Sequence, residues 1–231
     1  MRMYLAAVAA ILLRNSRKTD SLRRPQPACF CFTWCSAFAA FALLTGCSEE
    51  PATVKKADPP PTPLSGRQAF QYLYGSSRMW APDSQPLTVR SVNVTGVKTE
   101  AGKAGGWEIL FVSESLARVR TYTWSAVEAD GLHKGVFPGQ QEAWRAGGSQ
   151  RPFSPALLKA DTVEAYVESV KSAKDYVNKP GTRPPVNFML EYDAGTRFPN
   201  PIWRVLWGGS VSSAEYTVTV DASTGKVVAR D

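Results

Sequence analysis

The 231-residue chain carries a formal charge of +7, but six bases and one acid precede Cys47, so the remaining 21 bases and 19 acids leave the rest at +2. A nearly neutral remainder lacks the basic excess that phosphate binding requires, and no nucleic-acid partner is expected. The four cysteines (Cys29, Cys31, Cys35, Cys47) all lie in the first 47 residues and His133 is the single histidine, which removes an internal disulfide, a cysteine nucleophile and a His-rich metal site from the rest. Neither metal nor cofactor is expected, because Cys29, Cys31 and Cys35 sit in an uncharged apolar run without the second ligand pair that zinc needs.

In chain order, the first feature is an apolar run from Met3 to Leu13, followed by Arg14, Arg17 and Lys18. Eleven residues are too few to span a bilayer. A second run, Ala28 to Leu44, carries no charge and follows Arg23 and Arg24. A basic stretch, an apolar stretch and small residues at a cleavage point make a secretory signal. Two such signals are redundant, so translation is expected to begin near Leu22, leaving residues 1–21 unmade. The second run ends in Leu44-Thr45-Gly46-Cys47. This resembles the lipobox of bacterial lipoproteins. The resemblance implies that residues 1–46 form a leader and signal peptide, that cleavage precedes Cys47, and that Cys47 carries thioether-linked diacylglycerol. Two or more acyl chains anchor stably where one does not. By the same resemblance, Ser48 in place of Asp fits outer-membrane sorting, facing the periplasm, if the envelope is Gram-negative. The alternative, an uncleaved membrane anchor, has a run at the short edge for a span and no basic flank after it.

Residues 47–64 read as lipid anchor and tether. Ser48 to Leu64 holds five prolines in seventeen residues, and such a segment is a semi-stiff spacer of roughly 3 Å per residue, about 50 Å at most. The leader is expected to be disordered and the tether to hold the following domain clear of lipid.

From Ser65 onward the pattern is α+β and looks like one unit used twice, a tandem repeat of a helix plus an antiparallel β-meander. In the first unit, 65–138, Ser65 caps a helix carrying Ala69, Phe70, Leu73 and Tyr74 at helical spacing, stopped by Pro82-Asp83. Strands follow at Leu87–Val94, Trp107–Val112 and Val119–Val127, then a turn around His133 before Val136-Phe137. Residues 139–153, rich in Gly and Gln, read as a connection. In the second unit, 154–231, Asp161-x-x-Glu164 is a capping box. Val163, Tyr166, Val167, Val170, Ala173 and Val177 form one apolar stripe, and Pro180-Gly181 stops that helix. Strands follow at Val186–Tyr192, Ile202–Trp207, Tyr216–Val220 and Val227-Val228.

The closing segment, Tyr216-Thr-Val-Thr-Val220-Asp221-Ala-Ser-Thr-Gly225-Lys226-Val227-Val228, resembles the last hairpin of PepSY-type domains, small helix-plus-meander modules of bacterial envelopes and peptidase propeptides. The likeness covers about thirty residues when Trp203 to Trp207 are included. It implies a PepSY-like fold and, by analogy alone, a role in binding or restraining a peptidase. The local reason for the motif is a turn: Asp221 accepts its N–H groups and Gly225 supplies positive φ.

No catalytic residue is assigned. His133 lies in a Gly-flanked turn with no Gly-x-Ser-x-Gly elbow anywhere in the chain, and neither a Walker loop nor a dinucleotide fingerprint is present. Glu164 and Glu168 lie one turn apart on a helix, a spacing that could serve glycosidic chemistry but more simply makes a solvated face with Lys171 and Asp175. Asn93-Val94-Thr95 matches a glycosylation sequon by pattern only. Among the aromatics, Trp203 and Trp207 share a strand face suited to a core. Tyr122 and Trp124 share theirs with Arg118 and Arg120, which favours exposure and marks the four as a partner-binding surface. The expected function is a membrane-anchored envelope lipoprotein with a non-enzymatic protein- or peptide-binding module. The alternatives are a carboxylate-dependent hydrolase of envelope polymers and a structural accessory subunit.

Overall fold

The computed structural model describes residues 60–129, 131–178, 185–193, 198–209 and 212–231. The leader, Cys47, the tether up to residue 59 and the Pro180-Gly181 stop lie outside the described residues. Among the described residues no helix is long and apolar enough to cross a membrane.

Ser65 ends a short strand, β1 (Leu64–Ser65), and caps α1 (Gly66–Trp80). Its hydroxyl accepts from the Gln68 N–H while the Gln68 side chain accepts from the Ser65 N–H, so two orphan donors of the first turn are satisfied. Ala69, Phe70, Leu73 and Ser77 form the buried stripe of α1. The helix stops because Pro82 bars the residue before it from helical geometry, and Ala81 is extended at φ −145°, ψ 117°.

The chain continues through β2 (Gln85–Val92), β3 (Lys103–Ala104), β4 (Gly106–Ser113), β5 (Arg118–Ser125) and β6 (Gly135–Ala143). β6 runs five residues into the stretch read as connection. As an edge strand exposed along most of its length, it carries no buried alternation by which a sequence pattern could show it. After a 3-10 turn at Pro155–Leu157 come α2 (Thr162–Ser172) and a single-turn α3 (Lys174–Val177). The apolar stripe from Val163 to Val177 is therefore two helices, broken at Ala173, whose φ −104° and ψ 24° leave helical geometry. The chain ends with β7 (Val186–Glu191), β8 (Ile202–Gly208), β9 (Ala214–Asp221) and β10 (Val227–Arg230).

Eight strands form one antiparallel sheet in the order β10-β9-β8-β7-β2-β4-β5-β6, while β1 and β3 pair separately. Each half is a meander, and the two halves join where β2 pairs with β7. One row of paired residues crosses the whole sheet: Pro138, Tyr122, Ile109, Val89, Leu190, Trp203, Val220 and Val227. Its six central members belong to a single core with Ala69, Phe70 and Leu73 of α1 and Ala165 of α2. Both helices therefore cover the same sheet face. Fully buried side chains such as Phe111, Phe188 and Leu73 each contribute about 1.5–3 kcal/mol. The next row presents the opposite character: Thr123, Glu108, Arg90, Met189 and Arg204 are paired in register, and Arg90–Glu108 and Arg204–Glu191 are ion pairs. That alternation is what a sheet with one face on the core and one toward water dictates.

The contacts of the two halves recur at a fixed separation of 96 residues. Ser65 and Asp161 are N-caps, each with a capping box closed by the residue three further on. Trp107 Nε1 donates to the Leu64 carbonyl at 3.0 Å, and Trp203 Nε1 donates to the Ala160 carbonyl at 3.0 Å. The Ala126 N–H donates to Gly105 O at 2.9 Å, and the Ala222 N–H donates to Pro201 O at 2.9 Å. The spans of β5 and β9 stand in the same relation. The two N-caps also meet each other. Ser65 Oγ donates to Asp161 Oδ2, the Arg67 N–H donates to Asp161 Oδ1 and the Gly66 N–H donates to Thr162 Oγ1.

Candidate partner-binding site

Arg118, Arg120, Tyr122 and Trp124 alternate along β5 and so project from one face. That face is the one under the helices. Tyr122 is 2% exposed and sits edge-to-face on Phe111, with ring centroids 5.7 Å apart, and the Trp80 ring lies 6.5 Å from it, tilted by 52°. The expectation that Tyr122 forms a surface is therefore corrected: two arginines on the same face mark only its solvent end, and the row crossing the sheet carries Tyr122 into the core. Trp124 is partly buried against that core. Burial pushes the Tyr122 phenol pKa up, against the opposing pull of Arg120.

The arginines form the rim. The Arg120 guanidinium lies 5.5 Å from the Tyr122 ring centroid, and its Nε donates to the Gly139 carbonyl at 2.9 Å. Arg118 is exposed. Such long side chains lay their stems over apolar surface and hold the charge in water. Across the register, Arg118 faces Ala143 and Arg120 faces Gln141 of β6, whose side chain accepts from Trp80 Nε1 at 3.2 Å. Arg120 and residues 137–141 border an open hollow of about 670 Å³. The residues that sequence reasoning missed here are Gln140–Ala143 and Arg145, because a polar edge strand looks like a loop.

At the other end of β6, Val136 and Phe137 are 38% and 42% exposed. His133 packs against Phe137 with ring centroids 4.3 Å apart and planes tilted by 46°, and its Nδ1 lies 2.7 Å from Glu128 Oε1. Glu128 Oε2 also accepts from the Lys134 N–H, and that bond, with the one to His133, holds the Glu128 carboxyl below its ordinary range. The group is an exposed, self-satisfied turn.

The carboxylates weighed for hydrolysis are engaged elsewhere. Glu164 accepts from the Asp161 N–H at 2.9 Å as the closing half of the capping box, and Glu168 pairs with Lys171 at 2.6 Å. Asn93 of the sequon donates its amide to Asn187 Oδ1 at 3.1 Å. Trp107, Trp203 and Trp207 are fully buried, and each indole N–H has an acceptor.

No protein-family model matches the chain, and no curated protein matches it. A solved structure to which the fold is similar is that of a proposed lipoprotein of Clostridium difficile 630, at 10% sequence identity and a TM-score of 0.44, covering 76% of this chain and 95% of that one.

Proposed function

We propose that the chain is an envelope lipoprotein, cleaved before Cys47 and anchored there by lipid, which presents a non-enzymatic domain to a protein or peptide partner. The observation that carries this reading is Leu44-Thr45-Gly46-Cys47 directly after a charge-free run and directly before a proline-rich segment. If the envelope is Gram-negative, Ser48 after the cysteine favours outer-membrane sorting, with the domain facing the periplasm. The domain is read as two copies of one helix-plus-meander unit. The 96-residue recurrence of caps, indole bonds and strand spans supports that duplication. The PepSY resemblance of residues 216–228 belongs to the same reading and concerns the unit's fold. The binding surface is the rim of Arg118, Arg120 and Trp124 with the exposed strand β6.

The test has two arms. Cys47→Ala must abolish incorporation of radiolabelled palmitate and leave the precursor uncleaved; continued labelling rejects the anchor. Photo-crosslinking residues placed over the exposed positions of the domain in living cells must trap a discrete protein. Absence of any crosslink across the whole surface rejects the binding role.

A further inference from the structure

The correspondence between the halves makes their differences informative. β10 is four residues long and β6 is nine, and the connection leading into β6 (126–134) is nine residues against five for that leading into β10 (222–226). The core does not need the extra length, since residues 140–143 are all exposed. Edge strands are usually kept short because their free backbone groups template another strand. β6 exceeds the usual five or six residues and is the end strand of the sheet.

The edge is split by its own chemistry. Pro138 has no N–H, and a bulge at Gly139-Gln140 breaks the register between Arg120 and Tyr122. This leaves residues 140–143 as the separate end of the edge, one bulge residue followed by three paired in regular register with residues 118–120. Bases crowd that part: Arg118 directly across from Ala143, Arg120 across from Gln141, Arg145 two residues beyond, and Arg78 at the end of α1, whose last residue Trp80 is bonded to Gln141. The nearby acids are Glu142, across from Val119 and so on the opposite sheet face from Arg118, Glu114 in the preceding hairpin, and Asp83, whose carboxylate is taken up by the Ser113 hydroxyl and the Ser115 N–H next to Arg118.

We propose that the Gln140–Ala143 edge of β6, with Arg118 and Arg145, receives an extended acidic segment of a partner polypeptide as an added strand. The inference rests on the protein-binding reading and names the class of partner. Main-chain pairing gives such an addition its affinity, and the flanking arginines select carboxylates on alternate residues. An edge this short gives modest affinity, so the ionic component is a large share of it and falls with salt.

The probe is an acetylated, amidated octapeptide of alternating glutamate and valine, titrated into the full chain in non-ionic detergent, with its lysine–valine counterpart as control. The acidic peptide is expected to bind at least tenfold tighter than the basic one. The double substitution Arg118→Glu with Arg145→Glu, at exposed positions that leave the unfolding midpoint unchanged, is expected to weaken it at least tenfold. Arg230→Glu on the opposite edge is expected to change nothing. Equal binding of the two peptides, or an acidic peptide indifferent to the double substitution, overturns the proposal. In cells, a photo-crosslinker at Gln140 must capture an acidic segment identified by mass spectrometry. A partner trapped only from Val228 overturns this edge while leaving the binding role intact, and no crosslink from any exposed position overturns both.

Discussion

Ser65 Oγ donates to Asp161 Oδ2 at 2.5 Å, so the cap of one helix is hydrogen-bonded to the cap of the other. Asp161 accepts in addition from the backbone N–H groups of Arg67 and Thr162, with the Arg67 guanidinium 4.0 Å away. One carboxylate thus serves two helix N-termini, where negative charge is favoured. Asp161→Ala strips both caps and orphans buried donors, and an expected loss of about 2–3 kcal/mol follows from the cap and the unsatisfied groups together. Ser65→Ala removes both the cap acceptor of the Gln68 N–H and the donor to Asp161, and costs about 1–2 kcal/mol. In the double mutant the two effects are expected to fall short of additivity by at least about 0.5 kcal/mol, as residues in one network do. Urea unfolding of the four proteins measures this, and strict additivity contradicts a shared junction.

The recurrence of contacts 96 residues apart makes a prediction of equivalence. Trp107→Phe and Trp203→Phe each delete an indole N–H whose acceptor is the carbonyl just before an N-cap residue, Leu64 in one case and Ala160 in the other. Both rings are fully buried. Each substitution is expected to cost about 1–3 kcal/mol through the lost bond and the orphaned carbonyl. The two costs are expected to be of similar size, because the two indoles make the same bond in corresponding places. Midpoints from thermal unfolding would separate the halves if one indole matters far more than the other.

The elements that bury a face were legible in the sequence, and those that do not were hidden. Ser65 and Asp161 were readable as caps because a capping box needs particular side chains three residues apart. The central strands announced themselves by alternation, as in Trp107, Ile109 and Phe111, all fully buried. β6 did not, since Gly139 to Ala143 touches water on its residues and resembles a loop. The burial of Tyr122 was hidden for a related reason. Periodicity places Arg118, Arg120, Tyr122 and Trp124 on one face, but whether that face is wet or dry changes along the strand. Only the three-dimensional position of α1, which brings Trp80 over Tyr122, decides where the change falls.

Tyr122 therefore carries a prediction of its own. Tyr122→Ala removes a ring packed against Phe111, Trp80 and the Arg120 guanidinium. The expected result is destabilisation of about 3–5 kcal/mol, the range for large aromatic truncations in a core. Arg118→Ala, at an exposed position, is expected to leave stability within about 0.5 kcal/mol. A stable Tyr122→Ala protein with a specific loss of partner capture would restore Tyr122 to the surface.

Gly102 closes the junction from a third side. Its φ is +76°, its carbonyl accepts from Thr162 Oγ1 at 2.5 Å, and a β-carbon there would lie 2.4 Å from Val163 Cα and 2.6 Å from the Thr162 carbonyl. Both obstacles are backbone at the start of α2 and have nowhere to yield. Gly102→Ala is expected to cost about 3 kcal/mol or more, combining left-handed strain with the collision. Gly131→Ala, at a similar φ of +78° with open space around it, pays the strain alone and is expected to cost about 1 kcal/mol. Equal losses for the two would mean that the approach of Gly102 to α2 contributes nothing.

Acid should weaken the fold through its turn carboxylates. At Asp221, burial pushes the carboxyl pKa upward, but bonds from Asn200 and from the Thr224 and Ser223 N–H groups outweigh it, and the net shift is downward. Asp83 is likewise held low, chiefly by the Ser115 N–H and then by the Ser113 hydroxyl. A carboxyl whose pKa is lower folded than unfolded binds protons more readily in the unfolded chain. Its stabilising contribution is complete above the unfolded value and is lost as the pH falls below about 4 toward the folded one. Unfolding free energy is therefore expected to fall between pH 4 and lower values. Asp221→Asn, which cannot titrate, is expected to be less stable at neutral pH and to show a shallower fall, converging on the parent in acid. Urea titrations at a series of pH values measure both slopes. An unchanged slope in Asp221→Asn would mean that the turn's hydrogen bonds do not favour the charged form.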